Sequence, residues 1–205
     1  MYKILFLLLF SMINVVKADG INALNNFLQK KNNSISADFS QTVTGSKSVK
    51  TTIGIMEIER PNKFRWHYVK EEQLIVSDGN YVYIYDKPLQ QVTMNKLGSL
   101  LGKSPALLLA GSLDIKKYYN ITSNPNVDNL DWITLTPKNL DDNNGFKVVQ
   151  IGFNKVNQLL TQMKFIDTFD NKITIEFSNI KIGNKFPKNE FIFVVPKNAD
   201  VIKAD

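Results

Sequence analysis

The sequence of 205 residues contains no cysteine and only one histidine. Without cysteine there is no disulfide, no thiolate metal site, no cysteine nucleophile and no N-terminal lipidation at a Cys. With His67 as the sole histidine, a multi-histidine metal site is excluded, and a Ser-His-Asp arrangement would have to use that residue. His67 stands between Trp66 and Tyr68 on the opposite side of an aromatic strand, which suits a structural histidine. No P-loop or dinucleotide fingerprint is present. The acids Asp141-Asp142 fall in an Asn-rich turn, and Asp167, Asp170 and Glu176 fall at hairpin positions, where turn chemistry accounts for them. These absences predict a protein that is not an enzyme and that uses neither a metal nor a cofactor. The net charge is +6, but the lysines are scattered, and nucleic-acid binding needs a basic stripe. Pro- or Ser-rich linkers, charge blocks and internal repeats are also missing, so a single domain is expected.

What is present begins with an export signal. Residues 1 to 18 carry Lys3, an apolar run from Ile4 to Ile13, and Val16 and Ala18 as a small-residue cleavage site. A run of ten residues reaches about 15 Å, half of the roughly 30 Å hydrocarbon core, so it is too short to anchor the chain. Cleavage is expected after Ala18, with residues 19 to 205 as the mature domain. Removing the leader takes two lysines and leaves 23 basic against 19 acidic residues, a net charge of +4.

Asp19 can cap a short helix whose apolar positions Ile21, Leu24, Phe27 and Leu28 share one face, before Asn32-Asn33 stop it. Ile35, Ala37, Phe39, Gln41 and Val43 alternate with polar residues as a half-buried strand. From Val49 to Glu59 the apolar parity slips at Gly54, from Ile53 and Ile55 to Met56 and Ile58, which predicts a bulge or bend there. The stretch from Arg60 to Val92 then reads as a meander of about four antiparallel strands. In its first strand Phe64, Trp66 and Tyr68 share one face, and Asp78-Gly79 between two β-branched and aromatic runs is a strong hairpin signal. Lys96 to Ser104 reads as a loop. SPALLLAG follows as a short helix with Ser104 as cap, Pro105 first and Gly111 as stop, apolar all round. The remainder supplies five more strand segments, the last being NEFIFVVP at 189–196. Ten or eleven strands with two or three short helices predict a mainly β fold, an antiparallel sheet curling towards a barrel.

Several of these features lie in the order of a known family. Pro61, Phe64 and Trp66 after Arg60, VSDG at Val76 to Gly79, Tyr85-Asp86, Gln91-Val92 and Ser104 to Leu108 together resemble the outer-membrane lipoprotein carrier (LolA) family over nearly the whole chain. The resemblance implies an incomplete, open β-barrel covered by lid helices. It further implies a hydrophobic cavity that takes up the acyl chains of triacylated lipoproteins in the periplasm of a Gram-negative bacterium. An inner-membrane ABC-type release complex would supply the cargo and an outer-membrane acceptor would receive it, with the carrier a monomer. Carried over by position, Arg60 would latch the lid by hydrogen bonds to lid carbonyls, and Leu28, Phe64, Trp66, Leu107, Leu108 and Leu109 would line the cavity. From the residues alone the aromatic row fits an ordinary core, and Arg60 fits a polar residue before a turn proline; the resemblance favours cavity and latch. Two positions depart from the family pattern: His67, where an acid is common, and Ala106, where a larger apolar residue can stand. The alternative function is a periplasmic lipid- or lipoprotein-binding sensor module of the same fold.

Overall fold

The computed structural model describes residues 19–28, 33–100, 105–111, 115–139 and 145–204. The expected export signal, the cap Ser104 and the Asp141-Asp142 pair lie outside them. Helix α1 spans Asp19–Phe27. Six strands then follow without interruption: β1 (Ser34–Thr44), β2 (Val49–Glu59), β3 (Lys63–Tyr68), β4 (Gln73–Asp78), β5 (Tyr81–Asp86) and β6 (Gln91–Lys96). The segment expected as a loop contains a 3-10 turn, Leu97–Leu100, with Leu97 buried. Two short helices, α2 (Pro105–Ala110) and α3 (Ile115–Tyr118), precede β7 (Tyr119–Ser123), β8 (Leu130–Pro137), β9 (Phe146–Asn154), β10 (Leu160–Asp167), β11 (Lys172–Ile182) and β12 (Asp200–Ala204).

All twelve strands form one sheet in the order β12-β6-β5-β4-β3-β2-β1-β11-β10-β9-β8-β7, open at β12 and β7. Each strand of the meander pairs with the one before it because its turn is tight. At the expected hairpin, Asp78 Oδ1 accepts hydrogen bonds from the backbone N–H groups of Asn80 and Tyr81, both at 2.8 Å, and Gly79 takes a φ of 101° that suits glycine. The long return pairs β1 with β11. One pairing departs from the antiparallel rule: β12 runs parallel to β6.

The core is one contiguous cluster that draws on α1, α2, α3 and strands from both arms of the sheet, from Phe64 on β3 to Ile133 on β8. A flat sheet could not bring those arms to a common core, so the sheet curls around its helix-covered face. The other face is covered in part by the chain between β11 and β12. There Phe191 is buried, Phe193 stacks on Tyr83 at 5.2 Å, and Val76 and Val92 are buried beneath. NEFIFVVP was expected as a strand and is not one. Phe191 and Phe193 pack across the sheet from outside, Ile192 and Val194 are exposed, and the edge position goes to β12.

Gly54 also corrects an expectation. The β1–β2 register runs unbroken from Ser34 opposite Glu59 to Thr44 opposite Val49, so β2 has no bulge. The parity slips because Ile53 and Ile55 are exposed on the outer face. Gly54 faces inward, where the Phe39 ring lies over it and a Cβ would stand 2.4 Å from Phe39 Cζ. The irregularity sits one strand away, between Ser36 and Asp38 in the β1–β11 pairing.

Candidate functional site

The inner face can be read in rows across β11, β1, β2 and β3, since residues in register share a face. Ile35, Ile58 and Phe64 form one row, and Ala37, Met56 and Trp66 the next. Phe177, Phe39, Gly54 and Tyr68 form a third. The aromatics of these rows touch one another: Phe39 lies 4.8 Å from Trp66 and 5.1 Å from Tyr68, and Trp66 meets Phe177 edge-on at 6.2 Å. Such tilted and edge-on pairs add to the area they bury. Phe64 and Trp66 therefore lie where the sequence placed them, on the enclosed face, with 0% and 2% exposure. Phe39 and Phe177 belong to the same aromatic group but were not singled out. The signal available was the alternation of β1 and the glycine opposite Phe39.

Helix α2 closes this face. The run Ala106-Leu107-Leu108-Leu109-Ala110 is buried throughout, so all three leucines are covered rather than one chosen face of them. A six-residue helix with no polar side chain has no face to offer water, and here it is enclosed against β2 and β3. Leu28, in the turn after α1, is half-buried against the same core.

Arg60 ties α2 to both the sheet and α1. Its backbone N–H donates to the Asn33 carbonyl at 2.7 Å, which fixes the residue at the end of β2. Its Nε donates to the Leu109 carbonyl at 3.0 Å, and its guanidinium lies 4.5 Å from the centroid of the Phe27 ring. Two residues on, the Asn62 N–H donates to the Ala110 carbonyl at 2.9 Å. Two of the carbonyls that a helix leaves open at its C-terminal end are thus satisfied from one turn of the sheet. Burial lowers the Arg60 pKa to about 10, and the group stays charged at neutral pH.

Beyond the aromatic rows the same face carries polar groups on β1 and β2, while β11 keeps the buried Ile175 in register with Gln41. Gln41 stands opposite Thr52, and the Tyr68 hydroxyl donates to Gln41 Oε1 at 3.1 Å. Lys50 Nζ lies 3.5 Å from Glu71 Oε1. Sequence reading missed this group, because each of its residues is ordinary for a half-buried strand. Among the described residues, no group of three or more His, Asp or Glu side chains is placed to hold a metal ion.

Fold and site define a class of protein: an open sheet curled around an apolar face and closed over by short helices. The family model of the outer membrane lipoprotein carrier protein LolA matches residues 30–194. An outer-membrane lipoprotein carrier protein from Chromobacterium violaceum is 41% identical over 172 residues, 83% of this chain and 82% of the relative. One from Nitrosospira multiformis is 39% identical over 201 residues, 97% of this chain and 94% of the relative. The chain belongs to the outer-membrane lipoprotein carrier family. Solved structures share the fold at low identity. An uncharacterized conserved protein from Thermus thermophilus superposes with a TM-score of 0.57 at 10% identity, covering 91% of this chain and 98% of that one. A putative outer membrane lipoprotein-sorting protein domain from Vibrio parahaemolyticus gives 0.51 at 10% identity, covering 85% and 95%.

Proposed function

We propose that this chain is a periplasmic lipoprotein chaperone of a Gram-negative bacterium, which shields the acyl chains of triacylated lipoproteins between the inner and outer membranes. The observation that carries the reading is the latch: one arginine, on one apolar face, bonded to the backbone of an apolar helix that covers that face. A C16 chain in water costs about 0.8 kcal/mol per CH2, roughly 12 kcal/mol in all. Cargo with three such chains needs an enclosed apolar surface to cross an aqueous compartment.

Phe64, Trp66, Leu28 and Leu107 to Leu109 are the surfaces the chains would meet once the lid lifts. Closure competes with loading, because the leucines now fill the ground the chains would take. Arg60 sets that competition: hydrogen bonds to a charged donor are worth about 1.5–3 kcal/mol, enough to favour the closed state and small enough for cargo to overcome. The chain is exported by residues 1 to 18, is cleaved after Ala18 and acts as a monomer. It takes cargo from an ABC-type release complex in the inner membrane and passes it to an outer-membrane acceptor, with no catalytic step of its own.

The test is release of a lipoprotein from ATP-energised spheroplasts by protein purified from cells expressing the full chain. A triacylated lipoprotein leaving the membrane in a soluble one-to-one complex is the expected result. Binding of a fluorescent lipid without any release would move the function to a sensor module of the same fold.

A further inference from the structure

The proposal rests on the carrier reading and concerns how cargo lies in it. Along β2 the enclosed face changes character from Ile58 and Met56, through Gly54, to Thr52, while its neighbour β1 runs from Ile35 to Gln41. Six residue-to-residue steps along β2 lead from Ile58 to Thr52, about 20 Å at roughly 3.3 Å per step. One leaflet of a bilayer holds its acyl chains in about 15 Å, half the hydrocarbon core. The apolar rows are therefore long enough for a chain, and on β1 and β2 they end on polar groups.

Those groups have capacity to spare. Thr52 is 6% exposed, yet its buried hydroxyl has no hydrogen-bond partner. The buried indole N–H of Trp66 lies beside the Tyr68 hydroxyl oxygen, which is the acceptor within its reach. Tyr68 already donates to Gln41 Oε1, which leaves the Gln41 amide N–H groups on the same face. Burial pushes the Tyr68 phenol up to about 12, so it remains a donor at any physiological pH. Glu71 Oε1 faces Lys50, while Glu71 Oε2 is buried with no partner. A buried polar group left unsatisfied costs stability, so a partner that reaches Thr52 or Glu71 gains the free energy of the missing bond. Donors outnumber acceptors here. Ester carbonyls can only accept, and an amide adds one N–H that a carboxylate can take.

We propose that the Gln41 amide N–H groups and the Thr52 hydroxyl bind the ester and amide carbonyls that join acyl chains to the lipoprotein N-terminus, with Tyr68 holding Gln41 in place and Glu71 taking the amide N–H. Cargo then lies in one direction, its linker at the Thr52 end and its chain ends towards Arg60 and α2.

The test compares two fluorescent triacyl-cysteine lipopeptides binding to the full chain, one with ester-linked chains and one with the same chains linked as ethers. The wild type is expected to bind the ester form about tenfold more tightly, the effect of one to two net hydrogen bonds. Gln41→Leu with Thr52→Val, matched in shape, is expected to bind both at the ether's affinity, and Tyr68→Phe to lose part of the difference. Equal binding of the two by the wild type, or an unchanged preference in the variants, would overturn the assignment. So would displacement of the lipopeptide by equimolar diacyl phosphatidylglycerol, which carries the esters without the amide. If neither lipopeptide binds the wild type, the carrier reading itself fails and this proposal falls with it.

Discussion

Arg60→Leu is the perturbation whose effect the geometry sizes most directly. It removes the Nε bond to the Leu109 carbonyl and the contact of the guanidinium with the Phe27 ring. The first is worth about 1.5–3 kcal/mol for a charged donor, and the second about 0.5–2 kcal/mol. A leucine recovers part of this by burying its own side chain, so the net loss of lid closure is about 2–3 kcal/mol. At 1.4 kcal/mol per tenfold, opening becomes about 30- to 150-fold more frequent. The Asn62 amide reports on this, because its hydrogen bond goes to the last carbonyl of α2 at 2.9 Å and must break when the helix lifts. Native-state hydrogen exchange should show that amide and those of α2 exchanging at least 30-fold faster in the variant, with the β1–β11 amides unchanged. The same variant should accept cargo and release it poorly, because the closed state no longer competes with loading. Asn62 exchange within twofold of wild type, or normal transfer of cargo to outer membranes, would refute the latch.

Other parts of the molecule give predictions of their own. Gly54→Ala places a Cβ 2.1 Å from the His67 carbonyl oxygen and 2.4 Å from Phe39 Cζ; urea denaturation should show a loss of about 1–3 kcal/mol, the usual cost of overpacking. Glu57 is pushed up from 4.5 to about 7, first by burial and then by the Glu190 carboxylate, against the pull of Arg65. The folded chain thus keeps a proton that the unfolded chain gives up, so stability should fall as pH rises from about 4.5 to about 7. Glu190→Gln should flatten that part of the pH profile in denaturant midpoints. Phe191→Ala, which removes a ring that is 5% exposed, should cost about 3–5 kcal/mol. It should leave the exchange of α2 amides relative to the rest of the fold unchanged, because Phe191 packs on the opposite face.

The meander was legible because its signals are local. Alternation fixed which side Phe64 and Trp66 take, and Asp78-Gly79 fixed a turn whose hydrogen bonds lie within three residues of the aspartate. The contact of Arg60 with α2 was legible only through resemblance, since nothing in Arg60-Pro61 says that a carbonyl 49 residues later will accept its Nε hydrogen. The return after β11 misled for a physical reason. Phe191, Phe193 and their neighbours have the composition of a strand, but their partners are side chains of β3 to β5 rather than a backbone edge. The actual last strand, Asp200–Ala204, has three exposed apolar or lysine positions and gains its place only by pairing with β6. Gly54 misled in the other direction, because a glycine that seats a ring from the neighbouring strand looks, in sequence, like one that breaks a ladder. The polar group of Gln41, Thr52 and Tyr68 comes from three strands: register sets Gln41 opposite Thr52, and Tyr68 reaches Gln41 from the neighbouring row.

Photo-crosslinking tests the central claim most directly, that acyl chains occupy the face now covered by α2. A triacylated lipopeptide carrying a diazirine near the end of one chain would be bound to the protein, irradiated and its attachment sites mapped by mass spectrometry. Attachment at Phe64, Trp66 and Leu107 to Leu109 is the predicted result. Attachment confined to the outer face, at Ile53, Ile55 or the segment around Phe193, would contradict it.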